Sequence, residues 1–90
     1  MKTIRLSQHA IRRALLRGAT EDEIRVVLGR GTREPARRGK WQVRWSFDYG
    51  GASPVDGRRY REKAIEVIFA DEPDEIVVVT VKVYYSGGED

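Results

Sequence analysis

From Trp41 the sequence changes its period. Trp41, Val43, Trp45, Phe47 and Tyr49 alternate with Gln42, Arg44, Ser46 and Asp48, the pattern of a strand with one buried face. Before that point apolar residues recur at helical spacing, as in Ile24, Val27 and Leu28. A chain ordered this way places helices first and strands after, in separate layers.

The punctuation agrees. Ser7 is an N-cap residue, Leu6 before it can staple to Ile11, and Gly18 is a stop, which frames a helix over about 7–17. Thr20 and Glu23 form a capping-box pair and open a second helix over about 21–28, ended by Gly29 and Gly31. Strands are expected over about 40–49, 63–70 and 76–85, separated by "GGASPVDG" and by the acidic turn "DEPDE". The expected fold class is α+β, with two N-terminal helices on one face of a three- or four-stranded antiparallel sheet. Residues 1–90 read as a single small domain.

A chain of 90 residues buries one modest core, and without cysteine it has no disulfide or thiolate metal site to help. "MKTIRLSQ" lacks the apolar run of a signal peptide, and "IVVVTVKVYY" is too short to cross a bilayer. The chain reads as soluble and cytoplasmic, with no membrane partner. Its net charge of +3 hides an asymmetry. Residues 1–45 hold twelve Lys/Arg against four acids, and residues 46–90 hold five against ten. Thirteen of the seventeen cations are arginine, the side chain suited to planar contact with phosphate. The basic half points to an anionic partner, and the arginines point to nucleic acid.

The only histidine lies in this half. On a wheel of about 100° per residue with His9 at zero, Arg13 and Arg17 fall at about 40° and 80°. Ala14, Ile11 and Leu15 fall at about 140°, 200° and 240°, the expected core stripe. His9, Arg13 and Arg17 therefore form a ridge that can hold phosphate beside a titratable group, or a plain solvated cationic face. One histidine and no cysteine leave only carboxylates as metal partners, so neither metal nor cofactor is expected. Arg12, Arg37, Arg38, Arg44, Arg58, Arg59, Tyr60 and Arg61 interleave cations with aromatics and are the expected nucleic-acid contacts. Trp41 and Trp45 share a strand face and read as core. On the last strand Thr80, Lys82 and Tyr84 share one face, and strict alternation would put Ile76 and Val78 on it too.

"HAIRRALLRGATEDEIRVVL" followed by "VVVTVKVYY" resembles the family called domain of unknown function 4258. The resemblance rests on His9-Ala10, Arg13, Arg17-Gly18 and the capped helix from Thr20 to Glu23, with Thr80 and Tyr84 or Tyr85 near the end. Families of this shape are grouped with barnase–EndoU–colicin–RelE-type ribonuclease toxins. The resemblance therefore implies a RelE- or barnase-like sheet and an RNA-cleaving toxin-like activity without metal, with a cognate antitoxin as partner. Under that reading His9 is a base or acid, Arg13 and Arg17 clamp phosphate, and Tyr84 or Lys82 is the second proton-transfer group. Thr80 orients one of them or binds a phosphate oxygen. Two other classes stay open: a non-catalytic nucleic-acid-binding module, and an interaction domain whose sheet edge or acidic turn docks an antitoxin or a second copy.

Overall fold

The computed structural model describes residues 2–88. In chain order they form β1 (Thr3–Leu6), α1 (Gln8–Arg17), α2 (Glu21–Arg30), β2 (Glu34–Pro35), β3 (Trp41–Ala52), β4 (Arg59–Asp71) and β5 (Glu75–Gly88), with one 3₁₀ turn at Arg37–Gly39. The fold is α+β. Its sheet has five strands in the order β1-β5-β4-β3-β2 and is mixed, because β1 runs parallel to β5.

This corrects the expected three or four antiparallel strands, and with them the RelE- or barnase-like sheet. β1 escaped notice because Thr3–Leu6 is a four-residue alternation that only its pairing of Ile4 with Ile76 makes a strand. β2 is two residues of the basic connector, held by Glu34–Gln42 and Pro35–Trp41 pairing. β3 and β4 also run further than expected. Gly50 and Gly51 lie inside the strand rather than in a turn: the ladder bulges at Tyr49 and Gly50, and pairing resumes at Gly51–Tyr60 and Ala52–Arg59.

Both helices cover one face of the sheet. Ile24 and Val27 of α2, Ile65, Val67 and Phe69 of β4, and Val78 and Val81 of β5 are fully buried between the layers. On α1 the stripe is rotated from the one expected. Ala10 and Ala14 are buried, whereas Ile11 is 46% and Leu15 76% exposed. The small alanines let α1 lie close against β5, which larger side chains on that line would prevent. Trp41 packs against the core, but Trp45 sits at its rim, 36% exposed, with the Arg30 guanidinium 6.0 Å from its ring centre.

The helix ends are tied to the sheet by one buried cation. Lys63 is only 5% exposed, and its Nζ donates to the Gly18 carbonyl at 2.9 Å and to Glu23 at 2.8 Å. The same ammonium lies 4.8 Å from the Tyr49 ring centre. Glu23 in turn accepts from the backbone N–H of Thr20 at 2.9 Å, closing the capping box of α2. Burial would raise the Glu23 carboxyl, but the hydrogen bonds from Lys63 and Thr20 outweigh it and hold the group below its ordinary value.

Lys63→Met should cost about 3 kcal/mol, because it strands a partly buried carboxylate and an unpaired carbonyl; urea unfolding monitored by tryptophan fluorescence measures this. A carboxyl lowered in the folded state stabilises above its unfolded pKa, and that contribution is lost as pH falls through the folded value. The melting temperature of wild type should therefore drop on acidification below the ordinary glutamate range, and Glu23→Gln should flatten that limb.

Candidate nucleic-acid site

The site begins with a break in alternation on β5. Phe69 pairs with Val78 and Ile68 with Thr80, so Val79 is an extra residue in the ladder. The bulge lets Val78 and Val81 both enter the core, which an unbroken strand forbids. It also separates Ile76 and Val78 from Thr80, Lys82 and Tyr84, which turn to the face that no helix covers. Strict alternation is thereby corrected: the two sets lie on opposite faces.

A bulge leaves backbone groups without ladder partners, and here Ser7 takes them. Its N–H donates to the Val78 carbonyl at 2.9 Å and its hydroxyl to the Val79 carbonyl at 3.2 Å. The same oxygen accepts from Ala10 N–H at 3.1 Å as the N-cap of α1. One serine thus fixes the start of α1 to the bulge, and two residues on, His9 Nε2 lies 3.1 Å from Thr80 Oγ1.

The far end of α1 is fixed as firmly. Gly18 takes φ +87°, its N–H returns to the Ala14 carbonyl, and the Tyr85 hydroxyl donates to the Arg17 carbonyl at 2.5 Å. Burial, with Tyr49 beside it, pushes the Tyr85 phenol above its ordinary value, so it remains a donor. Tyr85 stacks against Tyr49 and Tyr60, each with ring centres 5.5 Å away.

Between these two fixings α1 runs beside β5 where β1 no longer pairs with it, and a groove of about 350 Å³ is lined by Arg13 and Arg17 of α1 and by Thr80, Val81, Lys82, Val83 and Tyr84 of β5. His9 stands at its Thr80 end. Next to Tyr84 the Arg44 guanidinium lies 4.6 Å from the ring centre, and Lys82 stands 3.9 Å from Glu66. The six residues expected to share a site therefore lie along one groove. Glu66, between Arg44 and Lys82 in the ladder, was not foreseen. Its one signal is that it is the sole acid in the apolar run "AIEVIFA".

The expected nucleic-acid contacts do not form one patch. Arg44 joins the groove, and Arg12 is exposed on α1. Arg37 and Arg38 lie in the 3₁₀ turn before β3, while Arg58, Arg59 and Arg61 flank the opposite end of the β3–β4 hairpin. A twelve-residue strand separates these ends, roughly 35–40 Å at ordinary rise. Tyr60 is not a free stacking platform: its ring packs on Tyr85 and its hydroxyl donates to Asp56 at 2.6 Å. Arg59 donates to the Gly50 carbonyl at 3.1 Å and secures the bulge. Among the described residues no three His, Asp or Glu side chains converge as a metal site, and no helix is long and apolar enough to cross a membrane.

Compared with protein-family models, curated proteins and solved structures, the chain matches none.

Gly18→Ala should be costly, since the position needs positive φ and an added Cβ would stand 2.5 Å from the Tyr85 hydroxyl and 2.9 Å from Pro54. A loss of at least about 1 kcal/mol is expected in a urea melt, whereas Gly29→Ala, where a Cβ meets nothing, should be neutral or stabilising.

Proposed function

We propose that this groove binds single-stranded RNA and cleaves its backbone, as a toxin-like ribonuclease acting in the cytoplasm under the control of a cognate protein inhibitor. The observation that carries the reading is the His9–Thr80 contact at 3.1 Å, which joins the cationic ridge of α1 to the polar row of β5. Two guanidiniums, an ammonium and a phenol then line one groove, with the His9 ring at its Thr80 end.

The chemistry is attack of a ribose 2′-oxygen on the adjacent phosphorus. The new O–P bond forms as the bond to the 5′-oxygen breaks, leaving a 2′,3′-cyclic phosphate and a 5′-hydroxyl. His9 removes the 2′-proton or supplies the proton that the leaving oxygen takes. Tyr84 is the better second proton-transfer group, because its hydroxyl makes no hydrogen bond among the described residues while Lys82 is paired with Glu66. Arg13 and Arg17 stabilise the charge that builds on the phosphorane, with Lys82 as a further phosphate contact. Thr80 orients the imidazole. The pairing of Lys82 with Glu66 also favours the second reading, a groove that holds RNA without cleaving it.

The purified chain with labelled single-stranded RNA in EDTA separates the two. Cleavage with cyclic-phosphate ends is expected, falling at least about 100-fold in His9→Ala; a His9→Ala protein as fast as wild type would remove the mechanism. RNA bound but intact, with a salt slope about two units shallower in Arg13→Ala/Arg17→Ala, would establish the binding module instead.

A further inference from the structure

β3 is an edge that the fold leaves open over most of its length. β2 covers it only at Trp41 and Gln42, and beyond them no strand pairs with its outer side among the described residues. Ala36 N–H donates to the Lys40 carbonyl, so along β3 the even-numbered residues turn their backbone groups away from β4. The connector after α2 closes this edge at Arg44, where a Cβ on Gly31 would stand 2.8 Å from the carbonyl. At Gly50, with φ +66°, the bulge bends the strand out of line. Between those limits the backbone N–H and C=O groups of Ser46 and Asp48 have no partner among the described residues.

We infer that two copies of this chain join through these edges, antiparallel, about a two-fold axis at Phe47. In that register Ser46 faces the partner's Asp48 and Asp48 faces the partner's Ser46, and each facing pair exchanges both backbone hydrogen bonds. The serine hydroxyls donate to the carboxylates. On the helix-bearing face Phe47 meets its own counterpart and the exposed Trp45 meets the partner's Tyr49. Arg44 lies diagonal to the partner's Asp48, within an arginine's reach.

Charge and shape both select this partner. Within one chain Asp48 pairs directly with Glu62, two like charges across a ladder, and neither has an ion-pair partner among the described residues. The partner's Arg44, turning from its own Tyr84 ring toward the edge, supplies the missing cation. The same register sets the bulged Gly50 of one copy against Arg44 of the other, so the strand turns away where the Gly31 connector would obstruct it. A register centred on Asp48 would set that carboxylate against itself.

Sedimentation equilibrium of the full chain from about 10 μM to 1 mM tests the pairing. Wild type should rise with concentration from 10.3 kDa towards twice that mass. Asp48→Lys should raise the dissociation constant at least tenfold by setting a second cation diagonal to the partner's Arg44, yet keep or raise the melting temperature of the dilute protein by relieving Glu62. Ser46→Pro, which removes an edge N–H and the serine hydroxyl but takes no N–H from the pairing with β4, should also stay monomeric. Wild type at constant 10.3 kDa overturns the inference, and so do variants that associate as wild type does.

Discussion

The two helices and the sheet all meet at the Lys63 ammonium. It closes the end of α1 through the Gly18 carbonyl, the start of α2 through Glu23, and the far end of the sheet through the Tyr49 ring. A buried cation is costly to desolvate, and the cost is met here because an ion pair, a carbonyl and an aromatic face surround it. With only alanines of α1 buried against β5, apolar contact alone fixes that helix weakly. Directional bonds from Lys63, Tyr85 and Ser7 fix it instead, and these set where its polar ridge points.

The groove follows from two local irregularities in otherwise regular elements. The Val79 bulge turns Thr80, Lys82 and Tyr84 outward, and Ser7 spends its backbone and side chain satisfying the bulge. Helix and strand are therefore registered by the same atoms that repair the ladder. The cations along the groove come from both sides of this joint, so its geometry does not depend on any flexible loop.

Much of this was legible in the residues. The caps at Ser7, Gly18, Thr20 and Glu23 mark both helices because each satisfies a specific unpaired backbone group. Alternation marks β3 and the core face of β4. The grouping of His9, Arg13 and Arg17 also follows from spacing alone. What stayed hidden was non-local. Val79 differs in no way from the valines around it, so nothing in "IVVVTV" announces a bulge. Ala14 is buried as expected, but the burial of Ala10 in place of Ile11 and Leu15 reflects how closely α1 approaches β5, a distance that hydrophobicity does not encode. Tyr60 looks like a stacking residue beside Arg58, Arg59 and Arg61 until Tyr85 and Asp56 claim its ring and hydroxyl.

The parallel pairing of β1 with β5 has a consequence in time. Thr3 meets Glu75, and the His9–Thr80 contact spans 71 residues of sequence. During synthesis both helices precede β5 out of the ribosome and can begin to fold before one wall of the groove is in place. The cationic ridge of α1 gains its facing strand only when β5 has emerged and paired. An interrupted chain thus carries the arginines but no cleft to use them in, so the molecule acquires its site at the moment its sheet is completed.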